Sequence, residues 1–261
     1  MKFIDSHAHI NDPAFDKDRE QVIAAFLAAG VERIAEIGCE KQEWVPALSL
    51  CEKHPQFWAV LGLHPIFAHT FDNKTLSEIK PYFANSFVRA VGEIGLDYAY
   101  ENESPREKQK EVFYAMLGLA KELKKPVVLH CRKTNMPDDF SAYEDWAALL
   151  KNYDGGGIMH CFSGRWQDAE FALDKGFLIG INGIIGYKKN DDLRASVKKI
   201  GLEHIVVETD CPYLPPQSKR GQRNSPVNIP EIAQTLADIL GKKIEDVAEI
   251  TSANALKFFG Q

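Results

Sequence analysis

The chain has 261 residues, 45% hydrophobic and 26% charged, so it can bury a core and wholesale disorder is excluded. Its 31 Lys and Arg against 37 Asp and Glu give a net charge of −6, which argues against coating duplex nucleic acid by bulk charge but leaves room for a local phosphate site. No run approaches a membrane span, the N-terminus MKFIDSHAHIND lacks a signal-peptide pattern, and five cysteines with no CxxC point to reduced thiols in a cytosol rather than a disulfide framework.

Taken in chain order, short β-branched apolar runs alternate with longer segments of helical period. A strand is predicted over 2–9 and a helix over 17–29, then strand 33–38 and helix 41–53. Strand 57–64 precedes helix 74–84, and strand 88–95 precedes helix 105–124. That last helix has the clearest signals, with Pro105 near its start and Pro126 just past its end. Strands 126–131, 156–161 and 177–183 are followed by helices 141–152, 166–175 and 190–200. Strand 204–210 closes the series, and helices follow over 228–240 and near 244–259. Eight strands alternating with helices, each a near-continuous apolar run, predict one (β/α)8 TIM barrel over residues 1–261. A doubly wound open sheet is the competing arrangement.

In such a barrel, chemistry gathers at the C-terminal ends of the strands. His7, His9, His64, His130 and His160 fall at predicted strand ends, whereas His54, His69 and His204 fall at helix ends or in loops. Glu93, Glu208 and Asp210 join the same layer. Burying so many imidazoles and carboxylates together is unfavourable without a metal or a proton network. His7 and His9 are two apart, so they share a strand face and could grip one ion, and Asp5 has the same parity. Glu93, between Gly92 and Gly95, is either a carboxylate that bridges two ions or a rim glutamate in an ion pair. His130 and His160 end neighbouring strands, which favours ligands over two separate core histidines. Arg132 shares a face with His130 and is either an anion contact or a solvated loop residue.

Glu208 and Asp210 also share a face, so one can bind metal while the other orients water or ligand. A structural ion pair with a basic residue of SKRGQR (218–223) is the other reading of that pair. His64, followed by Pro65, either donates to a substrate oxygen or bonds a backbone carbonyl. Cys131, Cys161 and Cys211 follow proposed ligands directly, and alternation turns them into packing residues. Four histidines and two carboxylates without a thiolate make a coherent set for two divalent ions, Mg, Mn or Zn.

DSHAHI, GLHP, GEIGLDY, LHCR, HCFSG, ETDCPYL and SANALKFFG occur in this order across the chain. The sequence thereby resembles the TatD family of metal-dependent hydrolases, within the amidohydrolase superfamily. The resemblance implies a (β/α)8 barrel, a binuclear divalent-metal site and phosphodiester hydrolysis, commonly as a deoxyribonuclease of 3′ exonuclease type. It implies His7, His9, Glu93 and Asp210 on one ion and Glu93, His130 and His160 on the other, with Glu93 bridging. It carries His64 and Arg132 over as substrate contacts, and Glu208 beside Asp210 as a catalytic or supporting carboxylate. The departures fall on substrate-facing loops: Lys133 stands where family members often have Asp, the loop HCRKTNMPDDF reads as an insertion, RNSP replaces RNEP, and GLHP lacks its usual polar successor.

The expected substrate is a single-stranded DNA end or another phosphodiester, taken by a monomer with no obligate protein partner. Lys188, Lys189, Lys219, Arg220 and Arg223 lie in loops after strands, where they either guide the strand or merely solubilise. The alternative is an amidohydrolase-type enzyme acting on a carbonyl substrate, as an amidase, esterase, lactonase, deacylase or deaminase. Many such relatives bridge their metals with a carbamylated lysine on strand 4, where this chain has Glu93. A binding protein that has lost activity is disfavoured, because no member of the ligand set is missing.

Overall fold

A computed structural model describes residues 1–136 and 139–260. Pro137 and Asp138, in the loop read as an insertion, lie outside the described residues. Eight parallel strands pair in chain order: β1 (Phe3–Ala8), β2 (Val31–Gly38), β3 (Phe57–Leu61), β4 (Val88–Asp97), β5 (Val127–Arg132), β6 (Gly157–Met159), β7 (Leu178–Ile181) and β8 (Ile205–Val207). The helices are α1 (Arg19–Ala28), α2 (Trp44–Lys53), α3 (Thr75–Ile79), α4 (Arg106–Leu123), α5 (Ser141–Leu150), α6 (Trp166–Asp174), α7 (Asp191–Ile200), α8 (Ile229–Leu240) and α9 (Ile244–Phe259). This is the expected (β/α)8 barrel.

The helix ends follow local chemistry. Pro105 caps α4, and Lys124 stops it in the left-handed region at φ 52°. Gly241 ends α8 in the same way at φ 62°. Helix α3 is shorter than expected, because Pro81 turns 80–84 into a 3-10 segment.

Strands β6, β7 and β8 are also shorter than the apolar runs suggested, so His160, Glu208 and Asp210 stand just beyond them. The seam between β8 and β1 is closed by this extra chain. Asp210 N donates to His7 O and His9 N to Cys211 O, both at 2.9 Å, and Ser6 Oγ donates to Val207 O at 3.1 Å. Asp5 takes part in the same seam. Its Oδ1 accepts from Thr209 N at 2.9 Å and its Oδ2 from the Thr209 hydroxyl. Burial raises the Asp5 carboxyl to about 7 against these bonds. Asp5 therefore does not join His7 and His9 at the mouth, as its parity suggested.

The core has two layers. A shell between sheet and helices is the larger. Inside the barrel, Ile4, Ala35, Ile37, Trp58, Val60, Ala90, Val128, Ile158 and Val206 pack together, and Phe258 and Phe259 of α9 cover them. Trp58 stacks on Phe259 with ring centroids 5.2 Å apart.

On β5, β6 and β8 the step from interior layer to site residue is two, the regular strand period: Val128 to His130, Ile158 to His160, Val206 to Glu208. On β1 and β4 the step is three, from Ile4 to His7 and from Ala90 to Glu93. Pairing with the neighbouring strand shifts register between Asp5 and Ala8, and between Val91 and Ile94. Each shift turns the chain over, so that Ala8 and Ile94 enter the outer shell and the residue before each faces inward.

Candidate active site

The strand ends open into a cavity of about 560 Å³. His9, Glu93, His130, His160 and Asp210 line it, with His64 and Arg132. His7 is fully buried beneath them. Glu93 lies at the centre. Its Oε1 is 2.7 Å from His130 Nδ1, 3.5 Å from His64 Nε2 and 3.6 Å from His160 Nε2. Its Oε2 is 3.2 Å from His7 Nε2. From the far side of the barrel, Asp210 Oδ1 lies 3.5 Å from His9 Nε2, 3.7 Å from His160 Nε2 and 3.8 Å from His7 Nε2. The His7 and His9 Nε2 atoms are 3.3 Å apart, and the His7 ring stacks on that of His160 at 3.4 Å.

Burial alone would keep these carboxyls neutral. It pushes Glu93 up, but His64, His160 and His7 hold it well below the usual range. Burial is overcome at Asp210 too, by His160 and His9, and its pKa falls. Among the histidines, burial wins at His64, which drops to about 3, and at His7, which is lowered with help from His160. It loses at His9, raised to about 9 by Asp210, and at His130, raised to about 10 by Asp97 and Glu93. The donor set fits divalent ions. His7–His9–Glu93 and Glu93–His130–His160 each bring their donor atoms within 4.8 Å of one another, with Glu93 common to both. His7–His160–Asp210 and His64–Asp97–His130 do the same. His7 turns Nε2 to Glu93 and His9, while its buried Nδ1 has no hydrogen-bond partner among the described residues.

The remaining candidates fall into different places. His64 Nδ1 accepts from Ile66 N at 3.2 Å, which leaves the ring proton on Nε2, facing the cavity. Arg132 stands at the rim, exposed, 5.6 Å over the Tyr100 ring. Glu208 does not line the cavity. It is buried behind His160, with Oε1 2.9 Å from His160 Nδ1, and the same oxygen accepts from Cys161 N at 2.7 Å. Neither Glu208 nor Asp210 pairs with the basic loop 218–223. Arg223 there holds Asp18 through both terminal guanidinium nitrogens and crosses Phe15. Cys211 packs into the outer shell as expected; Cys131 in that shell and Cys161, at φ 48° and packed against it, also reach the cavity wall.

Several wall residues were not anticipated: Asp12, Glu43, Asp97, Tyr100 and Tyr213. Asp97 was readable, since it shares strand parity with Glu93 once β4 is carried through to its end. The others come from loops whose course only packing fixes. Five carboxylates, Asp12, Glu43, Glu93, Asp97 and Asp210, thus surround the cavity, and Arg132 is the one Lys or Arg among its described lining residues. Cations held among these carboxylates would favour the entry of an anion.

A parallel barrel whose mouth gathers imidazoles and carboxylates in this way is the frame of a metal-dependent hydrolase. The chain belongs to the TatD family: residues 4–260 match the family described as TatD related DNase. It is 35% identical over 258 residues to the uncharacterized metal-dependent hydrolase YabD of Bacillus subtilis, covering 98% of each chain. It is 35% identical over 260 residues to the 3′-5′ ssDNA/RNA exonuclease TatD of a Rahnella species, covering 96% of this chain and 95% of that protein. The crystal structure of the Escherichia coli TatD homologue YJJV superposes with a TM-score of 0.91 at 30% identity, covering 99% and 98% of the two chains. Among the described residues, no helix is long and apolar enough to cross a membrane.

Proposed function

We propose that this protein is a divalent-metal-dependent phosphodiesterase that removes nucleotides from the 3′ end of single-stranded DNA or RNA. The observation that carries this reading is the charge of the cavity. Its carboxylates and imidazoles suit two cations that share Glu93, and those cations would make an acid-lined pocket attractive to phosphate. In this reading His7, His9, Glu93 and Asp210 hold one ion, and Glu93, His130 and His160 hold the other. Resemblance to a relative named as a 3′-5′ ssDNA/RNA exonuclease supports the substrate class.

The ions, when bound, would supply Lewis acidity at the phosphoryl oxygens and acidify the attacking water. The protein's own groups do the rest. Asp210, ionised in its ring of histidines, accepts the water's proton. His64 donates its Nε2 proton to a phosphoryl oxygen, because Nδ1 is already occupied by the Ile66 amide. Arg132 at the rim meets the phosphate next along the strand. Glu208 does not touch substrate; it braces His160 from behind.

The test is hydrolysis of 3′-end-labelled single-stranded DNA by chelated protein, with Mg, Mn or Zn added back and Asp210→Asn beside it. Metal-dependent release of mononucleotides, reduced about 10²–10⁴-fold in kcat by the substitution with little change in KM, is expected. No cleavage while two ions remain bound would overturn the phosphodiesterase reading and direct the search to esters, amides and lactones.

A further inference from the structure

Asp97 ends β4 two residues beyond Gly95, the residue paired with His130 on β5. It is buried, lines the cavity, and places Oδ2 3.0 Å from His130 Nε2. The other ring nitrogen, Nδ1, is 2.7 Å from Glu93 Oε1. One strand therefore presents two carboxylates to opposite edges of one imidazole. Glu93 is common to two candidate ligand triads, His7–His9–Glu93 and Glu93–His130–His160, whereas Asp97 meets only His64 and His130. Asp97 Oδ1 accepts from Ala99 N at 3.1 Å. Its backbone is held on both sides by the buried Gln109 of α4. Asp97 N donates to Gln109 Oε1 at 2.7 Å, and Gln109 Nε2 donates to Asp97 O at 2.9 Å and Ser104 O at 2.7 Å.

We infer that Asp97 is the positioning residue for His130, fixing the ring so that Nδ1 meets the ion shared with Glu93 while Nε2–H donates to Asp97. An imidazole that binds an ion through one nitrogen keeps its proton on the other, and a carboxylate there fixes both tautomer and plane and raises ligand basicity. The Gln109 clamp gives Asp97 the rigidity this requires. The inference rests on the two-ion reading above.

The experiment is calorimetric titration of the chelated full-length protein with Mn²⁺, for wild type, Asp97→Ala, Asp97→Asn, His130→Ala and the double variant Asp97→Ala/His130→Ala. Folding of each is checked by its melting curve. Wild type should bind two ions. Asp97→Ala should weaken one of them about 10–100-fold and leave the other within about twofold. Asp97→Asn keeps an acceptor without the charge and should fall between. In the His130→Ala background, Asp97→Ala should cost no further affinity, because its target is gone. A merely structural role would instead lower the melting temperature and add its effect to that of His130→Ala. Equal affinity for both ions in wild type and a folded Asp97→Ala or Asp97→Asn overturns the positioning role alone. Fewer than two ions in the wild type overturns the two-ion reading and this inference with it.

Discussion

Glu93 is the residue on which the site turns, because one carboxylate meets four imidazoles: His130, His64 and His160 through Oε1, and His7 through Oε2. Glu93→Gln keeps its shape and loses its charge. Both ions should weaken together, seen as loss of both steps in a Mn²⁺ titration, with kcat down by about 10³-fold or more, equivalent to about 4 kcal/mol of barrier. Two tightly bound ions in Glu93→Gln would contradict the bridging role. The shared face of His7 and His9 was legible at this scale, since residues two apart at a strand end point the same way, and their Nε2 atoms lie 3.3 Å apart. Asp5, in the same motif, was misplaced, because its partner Thr209 lies 204 residues away and only the closed seam brings them together.

At the scale of the element, the site depends on strands that pack closely behind the cavity histidines. Gly180 of β7 faces Glu208, and a Cβ on it would collide with Glu208 Oε2. Gly180→Ala should therefore displace Glu208 and, through it, His160. The expected signature is weaker binding of one ion by about tenfold, with the melting temperature lowered by only a few degrees. Unchanged ion affinity would show that Glu208 does not brace His160. Gly95 of β4 makes a similar demand on the backbone. At φ +144°, with the His130 carbonyl against it, that position admits no side chain. Glycines at 92 and 95 permit such a close approach, but the sequence does not name the strand approached. The register shifts in β1 and β4 were invisible, because a one-residue bulge leaves no mark in an apolar run.

For the whole molecule, α9 closes the barrel at the end opposite the cavity. Phe258 and Phe259 enter the interior layer, and Phe259 rests on Trp58 of β3. Phe259→Ala removes a buried ring from a layer that cannot collapse, because eight strands fix its diameter. A loss of about 3–5 kcal/mol in unfolding free energy is expected, read from the urea midpoint, with kcat of the folded enzyme at 25 °C nearly unchanged. A large fall in kcat without a change in midpoint would instead couple α9 to the chemistry.

The sequence by itself determined the alternation of strands and helices, since hydrophobic period and Pro or Gly punctuation are local properties. Through its ordered motifs it also determined the family. What only the tertiary structure decided is which of these groups share a wall. It turned Glu208 from the cavity to the back of His160, sent Asp5 to the seam, tied Arg223 to Asp18, and brought Asp97 to the free nitrogen of His130. The reason is geometric. A strand's period of two fixes which side chains are neighbours along one chain, but closure of the barrel and two shifts of register fix which face each strand presents to the others.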